Sequence, residues 1–120
     1  MVKKTEEYQA KISVDGRIWI NIGDKSFLGH GRIELIEKIK EYGSLSQAAG
    51  KMNLSYRKAW DSINKANLLA GKPLVILKRG GKEGGNAEIT EFGEKAILLF
   101  NKLHQDFIKF LNDKTNSIEF

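Results

Sequence analysis

The stretch from Gly43 to Leu69 constrains this chain more than any other. Ser44 or Ser46 is placed to cap a short helix running through Met52, with Gln47, Ala48 and Ala49 inside it. Asn53 stands where that helix must end, and asparagine is among the few residues that tolerate the left-handed conformation of a tight turn. Ser55 then caps a further helix, Tyr56 to about Leu69. Ala59, Trp60, Ile63 and Ala66 form its inner stripe, while Arg57, Lys58, Asp61, Ser62 and Lys65 lie outside. Small Ala48 and Ala49 allow a close crossing, and Leu54 plugs the turn. Two helices joined this way, the second basic at its start, describe a helix-turn-helix. Plain helical pairs share the pattern, so the flanking residues have to decide.

Those flanks are basic. From Lys51 to Lys82 eight cations face one acid, Asp61, in a chain whose net charge is only +5. Such a surface suits a polyanion, although a solvated face would carry similar charge. After the basic helix, Leu74 to Leu77 is β-prone, Lys78 to Gly85 is a glycine-rich basic turn, and Asn86 to Ile89 returns as a strand. A hairpin with a basic tip at this place is a wing, with Arg79 and Lys82 set for the minor groove or nearby phosphates. The rival reading, a phosphate loop of a nucleotide-binding enzyme, lacks the Walker or dinucleotide spacing. The DNA-facing set is therefore Ser46, Gln47, Ser55, Tyr56, Arg57, Lys58, Lys65, Arg79 and Lys82.

At the N-terminus, Tyr8, Ala10, Ile12 and Val14 alternate with polar residues, as do Ile18, Ile20 and Ile22, on either side of Asp15-Gly16. This predicts a hairpin turning at Asp15-Gly16, with Trp19 on its outer face and a connection over Gly23 to Gly31. A helix follows over Gly31 to Tyr42, stopped by Gly43. Thr90, with Glu91 and Glu94, starts the last helix, which runs to about Leu111 before a frayed tail. The expected division is 1–26 for the hairpin, 27–111 for the winged helix-turn-helix and 112–120 for the tail.

The last helix is too apolar for one face. Ten of the sixteen residues from Ala96 to Leu111 are apolar. Phe92, Ala96, Leu99, Leu103 and Phe110 are expected to face the core. Ile97, Phe100, His104, Phe107 and Leu111 form a second stripe, expected to pair two subunits. The alternative is that the N-terminal hairpin buries this second stripe.

Several classes drop out. No run approaches the roughly 20 apolar residues of a membrane helix, and Met1 to Glu7 is charged, unlike a signal peptide. The chain has no cysteine, which suits a cytoplasmic protein, and its two histidines alone make no metal site. Glu34, Glu37 and Glu41 read as a solvated helix face and His104 as a packed histidine, so no catalytic set and no cofactor is expected.

The segments Gly31 to Ile39, Gly43 to Ala49 and Met52 to Asn64 together resemble the N-terminal DNA-binding domain of ModE-type molybdate-responsive regulators. Pro73-Leu74-Val75, Gly80 to Ala87 and Ile89-Thr90-Glu91-Phe92-Gly93 continue the likeness, the last shared with LysR-type regulators. The resemblance implies a homodimer joined by the long C-terminal helix, base contacts from the start of the third helix, and a wing on the backbone. Full-length members continue into oxyanion-binding modules. This chain ends at Phe120, so molybdate sensing is expected to need a separate effector-binding protein.

Together these readings predict an α+β winged helix-turn-helix with an N-terminal β-hairpin and a long C-terminal dimerisation helix. The function expected is a sequence-specific regulator that binds double-stranded DNA, without a molybdate-binding domain. The alternatives are a winged-helix protein-interaction adaptor and an RNA-binding winged domain.

Overall fold

Local signals translate directly into most elements of the computed structural model, which describes residues 11–78 and 86–120. In chain order these are β1 (Ile20–Ile22), β2 (Lys25–Leu28), α1 (His30–Tyr42), α2 (Leu45–Lys51), α3 (Tyr56–Ala70), β3 (Val75–Leu77), β4 (Ala87–Ile89) and α4 (Glu91–Ser117). The architecture is α+β: three short helices, two small antiparallel hairpins and one long helix, in winged-helix arrangement.

The helix ends follow the caps. Gly43 takes the left-handed conformation at φ 66° and donates its N–H to the Ile39 carbonyl, closing α1. Ser44 Oγ accepts from the Gln47 amide, Ser55 Oγ from Lys58, and Thr90 Oγ1 from Gly93, so each hydroxyl serves the helix it precedes. Asn53 sits at φ 56°, the one left-handed non-glycine among the described residues, and turns the chain from α2 into α3.

Around that turn the core closes. Leu35, Ile36, Ile39, Leu45, Ile63, Leu74 and Val75 are fully buried, and Ala48, Ala59 and Ala66 let the helices approach with no exposed surface of their own. The Asn67 side chain clamps α3 to β3, donating to the Val75 carbonyl and accepting from the Leu74 amide, both at 2.8 Å. In the second hairpin Val75 pairs with Ile89 and Leu77 with Ala87. Asn86 then bridges to Ser44, which ties the returning strand to the α1–α2 junction.

Three expectations need correction. The N-terminal hairpin turns at Gly23-Asp24, where Ile22 pairs with Lys25, and residues 11–19 hold no strand. Gly23 supplies the positive φ of 62° that a two-residue hairpin turn wants at its first central position. The strand after it brings Phe27 and Leu28 into the core, whereas Ile12 is 43% exposed, so burial favours the later register. The stretch expected as a connection, Gly23 to Gly31, therefore holds β2 and the start of α1, while residues 1–10 lie outside the described set.

The expected tail also differs. α4 continues to Ser117, supported by i,i+4 pairs Lys102–Asp106 at 2.8 Å and Lys109–Asp113 at 3.0 Å. Near its end Thr115 Oγ1 accepts from the Val14 amide at 2.8 Å, anchoring the helix against the N-terminal segment.

The two stripes of α4 exchange places. Ile97, Phe100 and Leu111 are buried within the single chain, and Phe107 and His104 are partly covered, while Leu99, Leu103 and Phe110 are exposed. Of the stripe expected inside, Ala96 is buried and Phe92 half-buried. The cause is the N-terminal segment. Gly16 lies against Phe107, and the His30 ring meets Phe100 edge-on at 5.2 Å and His104 at 4.4 Å. With that stripe covered by its own chain, the residues assigned to a dimer contact are spent on the fold.

Candidate nucleic-acid interface

Capping decides which polar groups of α3 remain available. Ser55 spends its hydroxyl on the Lys58 amide, which leaves Tyr56, Arg57 and Lys58 as the outward groups of the first turn. The Arg57 side chain is 88% exposed and pairs with Asp61 at 3.6 Å. An exposed i,i+4 pair contributes only about 0.3–0.5 kcal/mol, so the guanidinium exchanges that partner readily. Lys65, two turns on from Lys58, is exposed on the same helix, and Ser46 and Gln47 are exposed at the start of α2. Six of the residues expected to face DNA thus lie on the open surface of the two helices, and Ser55 has a capping role. Arg79 and Lys82 fall outside the described residues.

Three other cations of the basic stretch are engaged elsewhere. Lys72 lies over the Phe92 ring at 4.3 Å and Lys51 over Tyr42 at 5.5 Å, both holding helix ends together. Lys78 pairs with Glu88 across the second hairpin at 3.4 Å.

Sequence reasoning missed Arg32 and Arg17. Arg32 leaves the first turn of α1 and donates to Ser62 Oγ at 3.0 Å and to the Ser26 and Phe27 carbonyls at 3.1 and 2.7 Å. It therefore fixes the N-terminal hairpin against the outer side of α3, and burial lowers its pKa. Nothing in local periodicity marks this, because the bond to Ser62 spans 30 positions and those to Ser26 and Phe27 exist only once β2 folds back beside α1. Burial, then the neighbouring His104 and Arg17, also holds His30 below the ordinary imidazole range.

A helix-turn-helix followed by an antiparallel hairpin, with a basic helix start facing outward, defines a winged-helix protein. Comparison with known proteins makes this more particular. The chain is 32% identical over 114 residues to the molybdenum transport protein ModE of Azotobacter vinelandii, spanning 92% of this chain and 40% of that protein. It is 40% identical over 86 residues to the DNA-binding transcriptional dual regulator ModE of Escherichia coli K12, 72% of this chain and 33% of the relative. The molybdenum-pterin-binding protein MopA of Rhodobacter capsulatus is 40% identical over 84 residues, 70% of this chain and 32% of its own. No family model matches. Over most of its length the chain is similar to ModE-type regulators, and it spans from about a third to two fifths of the length of these relatives.

No helix among the described residues is long and apolar enough to cross a membrane, and no group of three His, Cys, Asp or Glu among them is placed to hold a metal ion.

Proposed function

We propose that the chain is a sequence-specific, double-stranded-DNA-binding transcription regulator acting in the cytoplasm as a homodimer. The observation that carries this reading is the outward presentation of Tyr56, Arg57 and Lys58 from the first turn of α3, directly after a turn made by Asn53. In a helix-turn-helix that turn enters the major groove, where arginine reads guanine bidentately and lysine or tyrosine meets phosphates or base edges. Ser46 and Gln47 lie beside it, and Lys65 extends the positive surface along α3. Arg79 and Lys82 are assigned to the wing by the sequence alone.

Dimerisation is supported by the exposed apolar side of α4. Leu99 is 53% exposed, Leu103 41% and Phe110 51%, in positions that follow one another along the helix. Contact between two such faces about a two-fold axis sets two α3 helices for half-sites about one helical turn apart. These residues replace the buried stripe as the proposed contact.

Selection of bound duplexes from a random library tests the reading. A recovered two-fold-symmetric motif, with binding that weakens as salt rises, is the expected result. Equal retention of all sequences, or none, overturns it.

A further inference from the structure

Between the N-terminal hairpin, the first turn of α1 and the outer side of α3 lies a recess of about 400 Å³. Arg17 and Trp19 line it from the segment leading into β1, Ser26 from β2, Arg32 from α1, and Lys58 and Ser62 from α3. The lining contains three permanent cations and no carboxylate. Among the described residues none of Arg17, Arg32 and Lys58 forms an ion pair.

Arg32 is the informative member. It is half-buried, and all the groups it bonds are neutral: one hydroxyl and two carbonyls. A guanidinium partly withdrawn from water with no opposing charge is costly, and an anion in the recess offsets that cost. The opposite wall is prepared as well. Trp19 packs across Gly29 so closely that a Cβ there would come within 2.8 Å of its ring, while Gly31 has open space where a side chain would stand.

We propose that this recess seats a phosphate group, and that on DNA it receives a backbone phosphate flanking the base pairs met by α3. The backbone assignment rests on the DNA-binding reading, and it follows from Lys58 and Ser62, which belong both to the recess and to the outer side of α3. A free oxyanion is the other source of the same chemistry.

The test uses the full chain and its Arg17→Gln variant. Arg17 is exposed and makes no ion pair among the described residues, so the substitution leaves the core intact. Duplex affinity is measured across a salt series, and inorganic phosphate is titrated against tryptophan fluorescence, with Trp19→Phe identifying the Trp19 signal. The expected result is a roughly fivefold loss of duplex affinity in Arg17→Gln, a salt slope reduced by about one and an unchanged base preference. Millimolar phosphate alone leaves Trp19 unaffected.

If phosphate instead quenches Trp19 saturably and Arg17→Gln abolishes this without changing duplex affinity, the seat serves a free oxyanion and the backbone assignment is overturned. If Arg17→Gln binds duplex like wild type and phosphate is silent, the recess proposal fails, while a loss in Arg57→Ala keeps the DNA reading. If wild type binds no duplex, the DNA reading and the backbone assignment fail together, and the phosphate titration alone decides whether the recess is an anion seat.

Discussion

Gly93 lies directly beneath the carbonyl of Leu74, so a Cβ at position 93 would run into that oxygen. Thr90, which caps the same helix end, also donates its hydroxyl towards the Pro73 and Leu74 carbonyls at 2.8 and 3.1 Å. The start of α4 is thus pressed onto the strand that follows α3. Gly93→Ala is expected to cost about 1–3 kcal/mol of stability, because backbone on both sides has to move. Urea unfolding monitored by circular dichroism measures it, and an unchanged midpoint would contradict the close approach.

Asn67 offers a second test of how the hairpin is held. Its side chain satisfies one donor and one acceptor on residues that are themselves fully buried. Asn67→Ala leaves both groups unpaired, for an expected loss of about 1–3 kcal/mol. Asn67→Asp should retain the bond from the Leu74 amide and lose the one to the Val75 carbonyl. The two variants then rank wild type, Asp, Ala in thermal melts.

On the face proposed to meet DNA, Arg57→Ala should lose about 1–3 kcal/mol of binding and relax preference at one base pair. Lys65→Ala should weaken all duplexes alike and flatten the salt dependence. Anisotropy titrations on matched and mismatched duplexes separate the two. Equal loss on every sequence for Arg57→Ala would remove it from base reading.

The two sides of α4 predict opposite outcomes. Leu99→Glu with Leu103→Glu changes exposed positions, so a folded monomer that binds a single half-site weakly is expected in sedimentation. Phe100→Glu places a charge at a site only 1% exposed and should unfold the chain instead. A folded Phe100→Glu monomer would restore the stripe first assigned to the dimer.

Stability should also depend on pH through His30. Burial, followed by the charges of His104 and Arg17, lowers its pKa in the folded chain from the ordinary 6.5. Its contribution is therefore complete above pH 6.5 and is lost as pH falls from there through the lowered folded-state value, because the unfolded chain takes up the proton first. Melting temperatures across this window should fall more steeply for wild type than for His30→Gln. Parallel curves would show that the histidine pair has no such role.

The features legible from the residues alone were local ones. Gly43, Ser44, Asn53, Ser55 and Thr90 set the helix boundaries because a cap or a left-handed turn acts within three or four residues of itself, and the outward start of α3 followed from the helical period. The wing strands were legible for the same reason. Tertiary structure decided everything that depended on which surfaces meet. α4 is apolar on more than one side, so periodicity allowed either stripe to face inward until residues 14–18 and His30 covered the one containing Phe100. Two glycine–aspartate pairs competed for the hairpin turn, and the pair that buries Phe27 and Leu28 prevailed. Arg32 and Arg17 acquired their setting only when a hairpin and two helices came together, since hydrogen bonds between residues 30 positions apart leave no mark on the local pattern.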